Sequence, residues 1–486
     1  MKQNKVFSNF IWRFLERCGA QGIAFIVSIV LARILDPSVY GTVALVTVFT
    51  AILQVFIDSG MGNALIQKKN ADDLDFSTVF YYNLAMCLLL YGILFFASPL
   101  IAKFYETPEL TSIIRVLGLT VVVSGIKNIQ QAYVSRNMMF KRFFFATLGG
   151  TIGAAVIGII MAYNGFGVWA LVAQHLFNLV IDTIILWITV KWRPKLMFSW
   201  ERFKGLFSFG WKILVSGLLD TVYNNLRQLI IGKLYSKTDL AYFNKGKQFP
   251  NLIITNVNVS IDSVLLPSMS AAQDDKSRVR SMTRRAIKTS TYIMAPLMLG
   301  LAAVAETFIS LLLTEKWLFC VPFLRVFCIT YMFYPIHTAN LNAIKAMGRS
   351  DLYLKLEIIK KVVGFAVLLS TMWFGVMAMT YSLLFTSVIS QIINSWPNRK
   401  LLNYSYPEQL KDILPGILLA LFMAVSVWSI GLIGLHPVIT LIIQIISGAA
   451  IYILGSVLFG LESFKYLWSA VSTKLFKNKK IKSGEN

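Results

Sequence analysis

The stretch WKILVSGLLDTVYNNLRQLIIGKL, residues 211–234, has the length and composition of a helix that crosses a membrane. At ~1.5 Å of rise per residue, it spans the ~30 Å hydrocarbon core of a bilayer. Within it, Asp220, Asn224 and Arg227 recur at spacings of four and three, which places them on one face of the helix. Ionisable groups at membrane depth cost roughly 2.5–3.5 kcal/mol each on insertion scales, so they normally face a bundle interior or a watery cavity. A polar stripe of this kind is typical of a transporter.

The composition extends this interpretation to the whole chain. Of 486 residues, 56% are hydrophobic and 14% are charged, against about 25% charged in soluble domains. The apolar residues form blocks of about 20, which predicts an all-α polytopic membrane protein. Fourteen transmembrane helices fit: 10–34, 41–65, 78–102, 112–133, 143–163, 167–190, 207–234, 246–269, 288–313, 320–344, 356–375, 379–397, 412–434 and 437–459. The basic N-terminal stretch is predicted to belong to the first of these spans rather than to a signal peptide.

The net charge of +23 would suggest nucleic acid in a soluble protein, but here the basic residues lie in short loops between apolar spans. One alternate set of loops, with both termini, holds roughly 32 Lys and Arg residues, and the opposite set about six. This asymmetry places the N- and C-termini in the cytoplasm. It predicts membrane lipids as partners and no nucleic acid, and the basic tail KLFKNKKIK is expected near anionic headgroups.

The chain also repeats itself at an offset of about 200 residues. VLARILDPSVYG (30–41) is similar to IIGKLYSKTDLAY (230–242), and Ile57-Asp58-Ser59 recurs as Ile261-Asp262-Ser263. Parallel six-span halves are a known transporter architecture, with the substrate site at their interface. We therefore expect two pseudo-symmetric six-helix lobes, residues 1–200 and 201–405, followed by two C-terminal helices in 406–462 and a basic cytoplasmic tail in 463–486.

Polar residues in three spans are candidates for a substrate-binding cavity. In the first span Arg17 and Gln21 are four residues apart, with Glu16 beside them, and an arginine fork suits phosphate. The alternative is that these charges extend to the membrane surface. In the sixth span Gln174 and His175 form a polar patch, although a satisfied buried histidine is the simpler interpretation.

The remaining candidates have alternatives of their own. Asp220, Asn224 and Arg227 would line the same cavity, unless Asp220 and Arg227 form a private pair that joins two helices. Asp58 and Asp262 hold corresponding places in the two halves and are candidates for ion coupling, although both could lie near the cytoplasmic surface.

Sequence motifs for enzymes are scarce. Asp73-Leu-Asp75 has the D-x-D form that glycosyltransferases use for a metal and a nucleotide sugar, but acidic residues at a helix start explain it better. The chain has no P-loop, and the four cysteines have no metal-ligand spacing. We therefore predict no enzyme activity, no cofactor and no metal. The prolines at 250, 267, 296 and 335 predict irregular backbone in spans eight to ten, with simple kinks as the alternative. In the fifth span, Gly149, Gly150, Gly153 and Gly158 predict close helix packing.

Several stretches together resemble one family. LARILDPSVYGTVAL (31–45), DSGMGNALIQ (58–67), SVLLPSMSAAQDDKSRVRSMTRRAIK (263–288), TEKWLFCVPFLRVF (314–327) and AIKAMGRSDLYLKLEIIKK (343–361) occur in order over about 400 residues. They are similar to the polysaccharide transporter (Wzx-type flippase) branch of the multidrug/oligosaccharidyl-lipid/polysaccharide exporter superfamily, especially its lipopolysaccharide/colanic-acid and teichuronic-acid exporters.

The resemblance implies a flippase of the bacterial inner membrane. Such proteins move undecaprenyl-diphosphate-linked oligosaccharides to the outer leaflet by alternating access, through a cationic cavity between two lobes. It also implies other polysaccharide-assembly proteins as partners, but transfers no individual site residue. A drug/cation antiporter of the same superfamily and a lipid II flippase stay open as alternatives, and so, further off, do a membrane-bound polymerase or ligase and a structural scaffold.

Overall fold

The computed structural model describes residues 2–58, 61–68, 70–469 and 472, without the side chains of 2–11, 13–18, 63, 67, 209 and 212. The predictions for Glu16 and Arg17, and most of the predicted tail, therefore lie outside the described residues. The described helices, in chain order, are α1 (Lys2–Ile34), α2 (Pro37–Ile57), α3 (Met61–Gln67), α4 (Asp73–Phe104), α5 (Leu110–Arg136), α6 (Phe140–Tyr163), α7 (Val168–Thr189), α8 (Trp200–Leu234), α9 (Lys237–Ser270), α10 (Lys276–Ala303), α11 (Ala305–Leu313), the 3-10 helix Glu315–Cys320, α12 (Val321–Met332), α13 (Tyr334–Ala346), α14 (Ser350–Thr371), α15 (Val376–Leu401), α16 (Tyr406–Gly431) and α17 (Pro437–Leu458).

The helical class and the membrane character are confirmed. Within the described ranges, eleven helical segments are long and apolar enough to cross a membrane. The number rises to twelve if α8, which bends by 53° between Ser208 and Ile213, counts as one span. Two further long helices, α1 and α14, are not among these segments.

Some predicted spans divide where the sequence analysis expected one helix. The span 41–65 falls on α2 and α3, and the span 288–313 is divided between α10 and α11 at Val304. α9 and α10 continue through Pro250, Pro267 and Pro296, so none of these three prolines ends a helix. Pro335 does follow a break, because it occupies the first turn of α13, where its missing N–H costs little.

The sequence repeat has a structural counterpart in the helix ends. α1 ends at Ile34 and α2 begins at Pro37, while α8 ends at Leu234 and α9 begins at Lys237, so both boundaries recur after 200 residues. Gly41 on α2 lies against the start of α9, where an added Cβ atom would be 1.8 Å from the carbonyl oxygen of Lys237. Only glycine allows this approach of two backbones.

The chain divides into two compact units, Met1–Ala241 and Tyr242–Asn486. In the first unit α6 packs on α7 through the glycines that the sequence analysis assigned to close helix packing. A Cβ atom at Gly150 would lie 2.7 Å from the carbonyl oxygen of Asn178, and one at Gly158 would lie 3.0 Å from Cβ of Gln174. The close approach of α6 and α7 confirms that use of small residues.

In the second unit α10 packs against α16 along a stripe of basic residues four apart. Arg284 binds both carboxylate oxygens of Asp412, at 2.7 and 2.6 Å. One turn earlier, Arg280 lies 3.8 Å from Glu408, and one turn later Lys288 binds Glu462, beyond α17. These contacts attach the C-terminal helices to α10, and the bidentate arginine fixes their register.

Candidate functional site

In the first unit, Asp58 lies at the C-terminal end of α2 inside a small network of amides. Its Oδ1 accepts hydrogen bonds from Nδ2 of Asn128 at 3.1 Å and from Nε2 of Gln54 at 3.3 Å. Asn128 belongs to α5, 70 residues away in sequence. The predicted coupling residue is exposed, and its side chain is tied to a second membrane helix.

Next to Asn128 on α5, Lys127 forms an ion pair with Asp182 of α7, and both side chains are largely buried. The second carboxylate oxygen of Asp182 has no hydrogen-bond partner within the described part of the chain. Lys127 also lies close enough to Asp58 for their charges to interact. The ammonium group of Lys127 is therefore paired with Asp182, and Asp58 has no described ion pair of its own. The sequence does not reveal this pair, because each residue appears there as a lone charge in an apolar span.

The second unit repeats the aspartate–amide contact. Asn342 of α13 donates through Nδ2 to Oδ1 of Asp262 on α9 at 2.8 Å. One turn earlier on each helix, Thr338 donates to Asn258 at 2.8 Å. Asp58 and Asp262, which the repeat had paired in sequence, thus both accept a hydrogen bond from an asparagine side chain of another helix.

A second pair of residues also recurs, and the sequence analysis did not identify it. Near the start of α5, Nε of Arg115 donates to the carbonyl oxygen of Phe95 on α4 at 3.4 Å. Near the start of α12, Nε of Arg325 donates to the carbonyl oxygen of Ala302 on α10 at 3.3 Å. The motifs IIRVL (113–117) and FLRVF (323–327) carry these arginines and would have been a usable signal. Two independent contacts now relate the two halves.

The predicted cavity residues lie on several helices of the first unit. On α8, Asp220 and Asn224 are exposed and Arg227 is half-buried. The helix packs on α2, where Gly217 faces Val55. His175 on α7 and Gln21 on α1 are exposed. Gln174 is half-buried against α6 at Gly158. Their role in binding stays a prediction.

The acidic segment 72–75 is a helix start, as predicted. Asp72 and Asp75 form a capping box at the N-terminus of α4, in which each side chain accepts a hydrogen bond from the backbone N–H of the other. Asp75 is fully buried and binds Lys68 at 2.6 Å, and Arg202 lies 3.3 Å away. Asp73 binds Lys195 at 2.6 Å. Every carboxylate of the D-x-D pattern is therefore engaged in structural contacts.

Among the described residues, no three His, Cys, Asp or Glu side chains are grouped closely enough to hold a metal ion. Cys87, Cys320 and Cys328 are buried and unpaired by disulfides.

Membrane-length helices that keep ion pairs and amide-bound carboxylates inside each unit are typical of a multi-pass membrane transporter. A family described as "Polysaccharide biosynthesis protein" matches residues 30–322. The chain belongs to this family, within the polysaccharide transporter branch of the superfamily named above, and is a multi-pass protein of the bacterial inner membrane.

Three relatives illustrate the family. The chain is 23% identical to the teichuronic acid biosynthesis protein TuaB of Bacillus subtilis, over 83% of this chain and 85% of that protein. It is 25% identical to the succinoglycan biosynthesis transport protein ExoT of Rhizobium meliloti, over 67% and 66% of the two chains. It is 21% identical to the lipopolysaccharide biosynthesis protein WzxC of Escherichia coli, over 89% and 88%.

Solved structures establish the fold. The lipid II flippase MurJ, in an inward closed conformation, superposes with a TM-score of 0.75 at 15% identity, over 92% of this chain and 98% of that one. An inward-facing multidrug resistance MATE transporter of the MOP superfamily gives 0.61 at 16% identity, over 79% and 94%. The chain therefore has the fold that these transporters share.

Proposed function

We propose that the protein flips undecaprenyl-diphosphate-linked oligosaccharide repeat units from the cytoplasmic to the outer leaflet for the synthesis of O-antigen, capsule or exopolysaccharide. The observation that carries this proposal is the family match over residues 30–322, together with relatives in teichuronic acid, succinoglycan and lipopolysaccharide biosynthesis. A transport role without a catalytic reaction is part of the proposal.

The physical problem is the transfer of a diphosphate and hydrated sugars across ~30 Å of hydrocarbon. Fourteen spans, with α1 and α14 included and both termini in the cytoplasm, would supply two six-helix lobes, 1–200 and 201–405, that alternate in access. Arg227 on α8 and Arg17 on α1 are proposed to bind the diphosphate, because arginine offers a planar fork of donors to phosphate oxygens. Asp220, Asn224, Gln174, His175, Gln21 and Glu16 would complete the polar lining.

Asp58 and Asp262 are the proposed ion-coupling residues. The recurrence of the contact, Asn128 on Asp58 and Asn342 on Asp262, supports an equivalent role in the two halves. Coupling requires that ion binding differ in free energy between the inward- and outward-facing states. A carboxylate held by a neutral amide can gain or lose a proton or cation without breaking an ion pair of its own.

The experiment is extraction of lipid-linked intermediates from cells that lack the protein. Cells with the wild type restored should be compared with cells that carry Arg227→Ala or the surface control Arg349→Ala, whose native partner is the exposed Asp351. We expect undecaprenyl-diphosphate oligosaccharide to accumulate in the cytoplasmic leaflet, and wild type and control to clear it while Arg227→Ala does not. Clearance by all three would refute the role of Arg227. Absence of accumulation, in a strain that makes the oligosaccharide, would refute the flippase proposal.

A lipid II flippase is the second candidate, because the fold of MurJ matches over nearly the whole chain. The two candidates separate on depletion: loss of a lipid II flippase stops peptidoglycan synthesis, whereas loss of a polysaccharide flippase removes the surface polymer. A drug/cation antiporter would instead change drug resistance and leave both polymers intact.

A further inference from the structure

A cavity of about 310 Å³ lies inside the second unit, between α10 and the helical segment 462–469 that follows α17. Three basic side chains of α10 contribute to its wall, together with hydroxyl groups from both segments. The principal lining residues are Arg284, Arg285, Lys288, Ser281, Thr289 and Tyr466. Donors thus outnumber acceptors around a space large enough for a phosphoglycerol headgroup.

The charges around the cavity leave one cation in excess. Arg284 is held by Asp412, and Lys288 by Glu462, the acidic residue in the cavity wall. Arg285 lies over the ring of Tyr466, 4.8 Å from its centroid, and is exposed. Within the described part of the chain, no carboxylate lies within ion-pair distance of Arg285. A ligand for this cavity would therefore be anionic.

The position of the cavity along the helices indicates the kind of anion. On α10, no charged residue follows Lys288. α17 ends beside the cavity-lining segment with Leu458 and Phe459, which are 82% and 74% exposed. Trp468 is also exposed on that segment. Exposed aliphatic and aromatic side chains at the end of a membrane helix mark the level where acyl chains meet headgroups.

We propose that this cavity binds the phosphate group of an anionic membrane phospholipid, with Arg285 as the main cation and the acyl chains along the exposed end of α17. Basic pockets between membrane helices near the surface bind phosphate-bearing headgroups in this way. The proposal does not rest on the transported substrate, and its failure would leave the flippase assignment unchanged.

The test is binding of phosphatidylglycerol to the purified full-length protein in detergent. Binding is measured by native mass spectrometry and by the shift in unfolding temperature. Arg285→Ala removes the excess cation without breaking a described ion pair. We expect it to weaken phosphatidylglycerol binding about fivefold, the loss expected for one basic residue at an anionic lipid surface. Arg278→Ala, an exposed arginine two turns earlier on α10 and outside the cavity, should bind as the wild type does. If Arg285→Ala fails to fold, the nearly isosteric variant Thr289→Val tests the same cavity, and it should also weaken phosphatidylglycerol binding.

Two further ligands separate the sources of the phosphate. Inorganic phosphate at the same concentration should give no comparable shift, since it cannot use the exposed apolar end of α17. Undecaprenyl diphosphate should bind no more tightly than phosphatidylglycerol. Equal binding by wild type and Arg285→Ala, or an equal loss in Arg278→Ala, would overturn the proposal. Stronger retention of undecaprenyl diphosphate would assign the cavity to the carrier lipid instead.

Discussion

Removal of Lys127 should destabilise the protein far more than removal of any surface lysine. Asp182 is 7% exposed, and Lys127 is its described cation. In Lys127→Ala the carboxylate would stay buried beside α6 with neither oxygen paired to a cation. A charged side chain at membrane depth costs about 2.5–3.5 kcal/mol, and removal of one partner of a buried ion pair costs about 3–5 kcal/mol. We therefore expect a loss of about 3 kcal/mol in the free energy of unfolding.

The assay is reversible unfolding by increasing mole fractions of sodium dodecyl sulfate in mixed micelles. Lys103→Ala, an exposed lysine at the end of α4, is the matched control and should change the free energy by less than about 0.5 kcal/mol. The double variant Lys127→Met/Asp182→Leu should recover most of the lost stability, because apolar replacements of a buried pair are often neutral. A loss below about 1 kcal/mol in Lys127→Ala would refute the reasoning, as would a double variant no more stable than the single one.

Three further predictions concern other contacts. Gly150→Ala should reduce the yield of folded protein, because its Cβ would meet a backbone oxygen of α7. Gly149→Ala should be tolerated, because its Cβ meets only the flexible end of an isoleucine side chain. Fluorescence-detected size-exclusion chromatography compares the yields of the two variants. Gln409→Leu should lower the free energy of unfolding by about 1–3 kcal/mol, because it leaves its fully buried partner Asn340 short of hydrogen bonds; an unchanged detergent titration would contradict this. The hydrogen bond from Lys288 lowers the pKa of Glu462 below its ordinary 4.5. The Lys288–Glu462 contact therefore stabilises the protein above about pH 4.5, and this stabilisation is lost as the pH falls through the lowered pKa. Glu462→Gln should therefore flatten the acid side of a plot of unfolding temperature against pH, and equal slopes in both proteins would count against the contact.

The sequence predicted features that depend on local spacing. The helix positions, the glycine face of α6, the helix start at residues 72–75 and the repeat that relates Asp58 to Asp262 all follow from periodicity or local chemistry. The partners of these residues could not be predicted, since Asn128 and Asn342 lie 70 and 80 residues away on other helices.

The same limit applies to the candidate site. Asp220, Asn224 and Arg227 share a face because α8 is a helix, and that conclusion needs only their numbers. The Lys127–Asp182 pair joins residues 55 positions apart. A hydropathy pattern shows each of them only as a single charged residue in an apolar segment. The prolines show a related limit: whether a helix bends or continues through Pro250 depends on its neighbours, which a single segment does not show.

The basic stripe of α10 also has a consequence for the synthesis and membrane insertion of the protein. Arg284 precedes its carboxylate partner Asp412 by 128 residues. At about 5–20 residues per second, the ribosome needs ~6–26 s to deliver that partner after Arg284 has been made. During this interval Arg284 and Lys288 would lack these partners, and water and lipid phosphates would compensate their charges. Insertion of α16 and α17 would then replace these temporary counter-ions with Asp412 and Glu462. The last two helices would thus stabilise α10 only after it has been inserted.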